Sequence, residues 1–308
     1  TTLSEDLRLC EALKHFPELA KVTSKKDAIR KMYMMRELAL LQSIARDLKE
    51  QGVDIAEDED ISFKCGDAYA LLEKLTDASF DCCITDPPWG IDIEAVSSAR
   101  STEYAGFKDT ALVWEQFLQK GLPQIARVLK DGAHLWLFYA PSNYAATIKA
   151  LEYNGFDVRY VPCIWVKEKP NFTDWEYKPA SQYESILFAA KRSKTETSPR
   201  RLAEATADVF SYSRTTLNRI HRTEKPVELL KRLITLSTSE EDRILDPFAG
   251  SGSLLCAAFL SRRRALGFES DKDMYEAAFG RLQTLMVEFA PEVELEGVAK
   301  EREETCAT

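Results

Sequence analysis

From residue 61 onward, short apolar runs alternate with helical patterns, and this alternation narrows the possible folds more than any other feature of the chain. Strands are expected at 61–65, 80–85, 133–139, 157–167, 185–191, 243–245 and 265–268. Between them lie helical patterns at 68–75, 110–129, 143–154, 226–237, 253–261 and 272–289. A parallel strand pair needs a long crossover, and a crossover helix must bury its apolar stripe on the sheet. The expected fold class is therefore α/β, a mostly parallel seven-stranded sheet with helices on both faces. Two stretches, 90–109 and 193–222, carry no clear pattern, and loops of that length in a compact domain tend to be functional or disordered.

Ahead of this region, residues 1–53 read as a helical accessory segment. Ser24-Lys25-Lys26-Asp27 resembles a capping box, and Ile29, Tyr33, Leu40, Leu41, Ile44 and Leu48 recur at helical spacing. An acidic linker spans 54–60, the main domain 61–290, and an acidic tail 291–308. Apolar residues make up 45% of the 308 and charged residues 30%, which excludes a disordered or fibrous chain. No run reaches membrane-spanning length and the first residues lack a signal-peptide pattern, so a cytoplasmic protein is expected. Seven cysteines without a Cys-x-x-Cys pair argue against a disulfide framework and a zinc site, and no metal is expected. Pro162-Cys163 is read as lying within the 157–167 strand, so Cys163 is not taken for a nucleophile.

The net charge of −9 argues against a nucleic-acid partner, but its distribution does not. Between Lys191 and Arg232 eleven Lys and Arg stand against five acids, compatible with a basic face that meets phosphate.

Two turns carry the chemistry. The first is Asp86-Pro87-Pro88-Trp89, directly after the apolar run Phe80-Asp81-Cys82-Cys83-Ile84-Thr85. Proline cannot donate to a sheet ladder and fixes its own φ, so this tetrapeptide ends the strand as a stiff turn. It presents a carboxylate, prolyl carbonyls and a flat ring, groups suited to holding a planar base that bears an amino group. The second is Asp246-Pro247-Phe248-Ala249-Gly250-Ser251-Gly252-Ser253, between a strand and an apolar helix. Its glycines let the backbone pass close to a ligand and its N–H groups face an anionic part. About twenty residues further on, Glu269 ends the next strand, placed to accept from ribose hydroxyls. A nicotinamide dinucleotide could use such a turn, but Leu255 stands where the third glycine belongs. The acid that opens the turn would repel phosphates while accepting from a cationic amino-acid moiety.

Together these motifs resemble the S-adenosylmethionine-dependent amino-methyltransferases of DNA, which act on N6 of adenine or N4 of cytosine. The catalytic motif precedes the cofactor motif, similar to the permuted β class of that family. Cys65-Gly66-Asp67, Arg127 to Gly132, Tyr183 to Phe188 and His221 to Leu230 resemble further family segments in the same order. The resemblance implies a Rossmann-like methyltransferase sheet with one antiparallel strand in 185–191. It places S-adenosylmethionine over Asp246, Phe248, Gly250, Ser251, Gly252 and Ser253, with Glu269 on the ribose, Asp67 near the adenine, and Lys225 and Pro226 closing the pocket. Asp86, Pro87, Pro88 and Trp89 would hold a base flipped from double-stranded DNA. Adenine is favoured because an acid opens the tetrapeptide, where members acting on cytosine more often have Ser. An RNA adenosine methyltransferase and an idle nucleic-acid-binding subunit are the competing readings. Residues 193–220 are the segment left for target recognition, short enough that readout could be shared with the N-terminal helices, the 90–109 loop or a partner in a homodimer. Arg222 also departs from the family, which commonly has Pro there.

Overall fold

The computed structural model describes residues 60–90, 111–171, 176–177, 179–193, 200–213 and 224–289, together with Leu13, Lys25, Ala28 and Met32. The expected accessory helices, most of the acidic linker, the loop after Gly90 and the acidic tail lie outside them.

The strands are β1 (Ile61–Cys65), β2 (Phe80–Thr85), β3 (Leu129–Tyr139), β4 (Phe156–Val158), β5 (Cys163–Asn171), β6 (Ser181–Lys191), β7 (Val209–Ser211), β8 (Arg243–Asp246) and β9 (Arg264–Glu269). They form one sheet in the order β1-β9-β8-β2-β3-β6-β5-β7, with β4 also on β6. β6 runs antiparallel to β3, β4 and β5, and every other pairing is parallel, so one strand runs against the rest. The sheet holds nine strands where seven are expected from sequence. One addition comes from Pro162, which lacks the N–H a ladder needs and lies outside both β4 and β5. Residues 159–162 loop out while both flanking strands stay on β6, so Cys163 opens a strand instead of lying within one. The other is β7, three residues long and invisible to periodicity, on the far side of β5.

The helices are α1 (Ala68–Glu73), α2 (Ala111–Gln116), α3 (Leu122–Val128), α4 (Tyr144–Tyr153), α5 (Val227–Ser237), α6 (Ser253–Leu260) and α7 (Lys272–Phe289). Between α2 and α3 a π turn, Phe117–Gly121, interrupts the single helix that the sequence suggests. Pro123 offers no N–H to the preceding turn, and the Leu122 N–H reaches back to the Phe117 carbonyl.

Side chains alternate cleanly across the sheet. Cys82, Ile84, Trp136, Phe138, Ile244 and Ala265 pack with α5, α6 and α7 on one face. Cys83, Leu135, Leu137, Leu245 and Leu266 pack with α1, α3 and α4 on the other. β2 is buried along its whole length between β8 and β3, which explains why its residues apart from Asp81 are small or apolar.

Asp81, near the entry to β2, is buried and held by several groups. Both carboxylate oxygens lie 2.9 Å from Lys130 Nζ, Arg200 reaches one at 3.2 Å, and the Arg243 N–H donates to the other at 3.1 Å. This carboxylate thus fastens β8, β2, β3 and the segment around Arg200 at the amino edge of the sheet. Asp81→Ala is expected to lower unfolding free energy in urea by roughly 1.5–3 kcal/mol, the range for hydrogen bonds to a charged group. Asp77→Ala, which breaks the exposed pair with Arg127, should cost less than about 1 kcal/mol.

Candidate active site

The carboxyl ends of β1, β9, β8, β2 and β3 share one edge of the sheet because these strands run in the same direction. Ligands of open α/β sheets bind in the crevice at that edge. There the structure collects Asp67 after β1, Glu269 ending β9, the glycine turn after β8 and the proline turn after β2.

The glycine turn follows from two left-handed residues. Gly250 has φ 51° and Gly252 has φ 70°, a region that disfavours any residue with a Cβ. Their surroundings differ. A Cβ at Gly250 would meet nothing within 4 Å, whereas one at Gly252 would come 3.4 Å from the Ala278 Cβ on α7. Gly250 therefore faces open space and Gly252 faces packing. Gly267 on β9 keeps this approach close, since a Cβ there would lie 3.0 Å from that of Ala249. Glu269 accepts from the Asp271 N–H at 2.7 Å and from the Gly250 N–H, and burial still raises its carboxyl above the usual range. Phe248 packs edge-on against Tyr69 and Phe117. The hydroxyls of Ser251 and Ser253 are buried 3.0 Å from each other, and that of Ser253 lies 3.3 Å from Arg281, so they are engaged inside the protein. Asp67 caps α1 by accepting from Ala70 at 2.9 Å.

An open space above a left-handed glycine, an aromatic side chain, and an acid at the next strand end suit a nucleoside ligand. Gly250, Phe248 and Glu269 are groups that suit a ribose-bearing ligand, and the Asp246 carboxyl beside them suits a cationic end.

The proline turn meets this half through the pairing of β2 with β8. Thr85 Oγ1 donates to Asp246 Oδ1 at 2.9 Å, and the Phe248 N–H donates to the same oxygen at 3.1 Å. Next to Thr85, Asp86 Oδ1 accepts from the Trp89 indole N–H at 2.9 Å, which fixes the ring relative to the carboxylate. Asn143, after β3, donates to the Trp89 carbonyl at 2.6 Å. Pro87 is buried, and Pro88 and Trp89 are half-buried.

Lys225 is not confined to the cofactor half that the resemblance implies. Its Nζ donates to Asp86 Oδ2, lies 3.1 Å from Glu184 Oε2, and stands 4.9 Å from the Phe138 ring centroid and 5.6 Å from that of Trp89. Pro226 caps α5. Glu184 in turn pairs with Lys167 at 2.7 Å. Because β6 is antiparallel, its early residues reach the same edge as the late residues of β2, so Glu184 arrives beside Asp86. Sequence reasoning missed Glu184, Lys167, Asn143 and Thr85. The signal for Glu184 was an acid just ahead of the apolar run Ile186-Leu187-Phe188, in a segment read for its strand alone.

The basic segment is less available to phosphate than its composition suggests. Arg192 pairs with Asp157, Arg200 with Asp81 and Asp242, Lys231 with Glu228, and Arg232 with Glu204. Lys194, Arg214, Arg219 and Arg222 lie outside the described residues. Among the described residues no cluster of three or more His, Cys, Asp or Glu is arranged to hold a metal ion, and no helix is long and apolar enough to cross a membrane. Burial pushes the Cys163 thiol up to about 11, which leaves it a poor nucleophile.

Burial pushes the Asp246 carboxyl up to about 7, with Asp86 and Glu269 adding to the rise against the bonds from Thr85 and Phe248. A carboxyl raised in the folded state takes up a proton on folding. The stability this gives is full below the ordinary carboxylate value and is lost progressively as pH rises from there to about 7. Asp246→Asn keeps an acceptor for Thr85 and Phe248 but cannot ionise. Its Tm relative to the parent protein should therefore rise between about pH 5 and pH 8. A constant difference in Tm across that range would refute the assignment.

Comparison with known proteins bears on the family and the fold. The sequence profile of the N6_N4_Mtase family, described as DNA methylase, matches residues 80–280, which include both turns. The chain is 28% identical over 240 residues to the Type II methyltransferase M2.LlaDCHI of Lactococcus lactis subsp. cremoris, covering 70% of this chain and 87% of that one. It is 25% identical over 244 residues to the Type II methyltransferase M2.MboI of Moraxella bovis, covering 72% and 87%. The crystal structure of the M1.HpyAVI-SAM complex superposes with a TM-score of 0.56 at 23% identity, covering 72% of this chain and 98% of that one. The PvuII DNA methyltransferase (cytosine-N4-specific) gives 0.57 at 17% identity, covering 79% and 90%. These likenesses establish a Rossmann-like methyltransferase fold. With the family profile matching over more than half of its length, the chain belongs to the N6_N4_Mtase family of DNA methylases, whose cofactor is S-adenosylmethionine.

Proposed function

We propose that this chain methylates the exocyclic amino group of a base flipped out of duplex DNA, with N6 of adenine as the favoured target. The observation that carries the reading is the adjacency of the two turns. Asp86 and Trp89 leave β2 beside the glycine turn that leaves β8, and Thr85 and Asp246 join them at 2.9 Å.

When bound, S-adenosylmethionine supplies a methyl group made electrophilic by its sulfonium. Gly250, Phe248 and Glu269 would hold it, with Asp67 toward its adenine and Asp246 toward its amino-acid end. The remaining task is to present a nitrogen lone pair, which an aromatic amine delocalises into its ring. Asp86 accepts one amino hydrogen and the Pro87 carbonyl the other, which favours a pyramidal nitrogen and stabilises its developing positive charge. Each carboxylate oxygen has two acceptor positions, so Asp86 can do this while bonded to Trp89 and Lys225. A paired base cannot reach such a site. Trp89 provides the surface on which a flipped base stacks, offsetting part of the few kcal/mol spent on unstacking.

The acid at position 86 favours adenine over cytosine, and the glycine turn, intact from Gly250 to Gly252, favours DNA over RNA by resemblance. The order of the two turns along the chain supports the permuted class. Target recognition would then fall to residues 193–220, a segment shortened further because β7 takes Val209–Ser211 into the sheet. A homodimer could extend it.

Asp86→Ala should abolish methyl transfer while calorimetry still detects S-adenosylmethionine binding. Retained turnover would end the assignment. Trp89→Ala should lower the transfer rate more than cofactor affinity, and an unchanged rate would reduce Trp89 to a surface ring. Modification-sensitive sequencing of DNA from cells expressing the chain reports the base and its context, and N4-methylcytosine there would replace adenine as the target.

A further inference from the structure

We infer that Lys225 is a positioning residue for Asp86, and that Glu184 and Lys167 set how strongly it acts, through the buried chain Lys167, Glu184, Lys225 and Asp86. The inference rests on the reading of Asp86 as the acceptor of the substrate amino group. It extends that reading to residues on β5, on β6 and in the segment before α5.

The geometry leaves Lys225 little freedom. Its side chain is 7% exposed, and its ammonium is shared between Asp86 Oδ2 and Glu184 Oε2. Glu184 is 11% exposed and Lys167 is 7% exposed. Two cations and two carboxylates alternate, so the chain is balanced as a whole and would be unbalanced by the loss of any member. Asp86, at 26%, is the most exposed member and is the end that faces the crevice. The neighbouring residue anchors the arrangement from the other side. Glu224 is buried, its carboxylate lies 2.6 Å from Arg281 on α7, and Arg281 also reaches Ser253 beside the glycine turn. The segment thus holds the cofactor turn with Glu224 and the substrate turn with Lys225.

The charged and titratable groups facing Asp86 come from three elements. Lys225 lies ahead of α5, Glu184 is on β6 backed by Lys167 on β5, and Asp246 ends β8. Burial raises the Asp86 carboxyl, Lys225 opposes that rise, and Glu184 adds to it. Burial would lower the Lys225 ammonium, but Asp86 and Glu184 hold it above its ordinary range. An ionised carboxylate accepts an amino hydrogen more strongly than a protonated one and answers the positive charge that develops on the nitrogen. Lys225 favours the ionised form of Asp86 and tethers its Oδ2, and without Lys225 both effects are lost.

The inference gives two shifts of opposite sign. Single-turnover transfer from methyl-labelled S-adenosylmethionine to unmethylated bacterial genomic DNA would be followed across the pH range with the full chain. In Lys225→Met the acid limb of the rate profile should move up by about 1 unit or more, the scale expected when an adjacent opposite charge is lost. The rate near the foot of that limb would fall about tenfold per unit and be largely regained at alkaline pH. Lys225→Arg keeps the charge and should restore the position of the limb even where the maximal rate is reduced. In Glu184→Gln the limb should move down, because the carboxylate that raises Asp86 is gone while Lys225 remains. Cofactor affinity measured by calorimetry should stay within about threefold of the parent protein in all three.

A residue needed only for folding would lower the rates by a pH-independent factor. Profiles that superimpose on the parent after scaling would overturn the inference. So would a loss of S-adenosylmethionine affinity in Lys225→Met with the limb unmoved, which would make Lys225 a cofactor contact. Asp86→Ala is run alongside. If it retains turnover, the reading of Asp86 falls, whereas an inactive Asp86→Ala with unshifted Lys225 and Glu184 profiles removes this inference alone.

Discussion

Everything in this molecule depends on the parallel pairing of β2 with β8, two short strands about 160 residues apart in sequence that are in register at Cys82 with Ile244 and Cys83 with Leu245. Each strand ends in a turn that no regular ladder could continue, one because of two prolines and the other because of two left-handed glycines. Neither turn is a site alone. Side-by-side parallel strands release their turns at the same edge, and the Thr85 to Asp246 bond sets the distance between them. The amino edge is fastened independently by Asp81, whose partners come from β3, β8 and the stretch around Arg200. A displacement of β2 would therefore break a buried ion cluster at one end as well as the site at the other.

Much of this was legible in the sequence, and for identifiable reasons. Strands buried on both faces appear as near-continuous apolar runs, and Phe80 to Thr85 does so with Asp81 as its one charged residue. The two turns announce themselves through Pro and Gly, whose backbone restrictions are intrinsic and do not depend on context. What escaped depends on pairing between distant segments. Pro162 splits an apparent strand, but both pieces stay on β6, which only the partner reveals. β7 is too short to carry a period and exists because β5 offers it an edge. The basic stretch after Lys191 was counted correctly, but composition cannot show that Arg192, Arg200 and Arg232 are matched by acids elsewhere in the fold. Lys225 was singled out for the site by resemblance, and only the antiparallel course of β6 shows that Glu184 sits beyond it.

The crevice concentrates carboxylates. Asp86, Asp246, Glu269 and Glu184 lie at one sheet edge, and burial by itself raises the pKa of each carboxyl, working against its ionised form. Such a group of anions destabilises the folded protein unless cations or donors answer it. The answers differ by position. Glu269 receives backbone N–H groups, and Asp246 receives a hydroxyl and an amide. Glu184 has two lysines, which hold it below its ordinary range despite burial. Asp86 alone combines a cation with exposure to the crevice. Of these acids it is therefore the one best equipped to be both ionised and accessible, which matches the demand of presenting an amino nitrogen. A cofactor with a cationic end would relieve part of the remaining load at Asp246, so the charge of the site is better balanced with ligand than without.

The stretch Glu224-Lys225-Pro226 explains how this balance can be geometrically exact enough to matter. Neighbouring side chains along an extended backbone point to opposite sides. Pro226 enforces that extension, with φ −60° and ψ 132° at the cap of α5, and proline also biases Lys225 away from helix. Glu224 can then face Arg281 and the glycine turn while Lys225 faces Asp86. The Lys-Pro pair is thus a backbone device as much as a charge. It converts a rigid φ into a fixed relation between the glycine turn and the proline turn, and a fixed relation of that kind is what an in-line transfer between the proposed donor and acceptor sites requires.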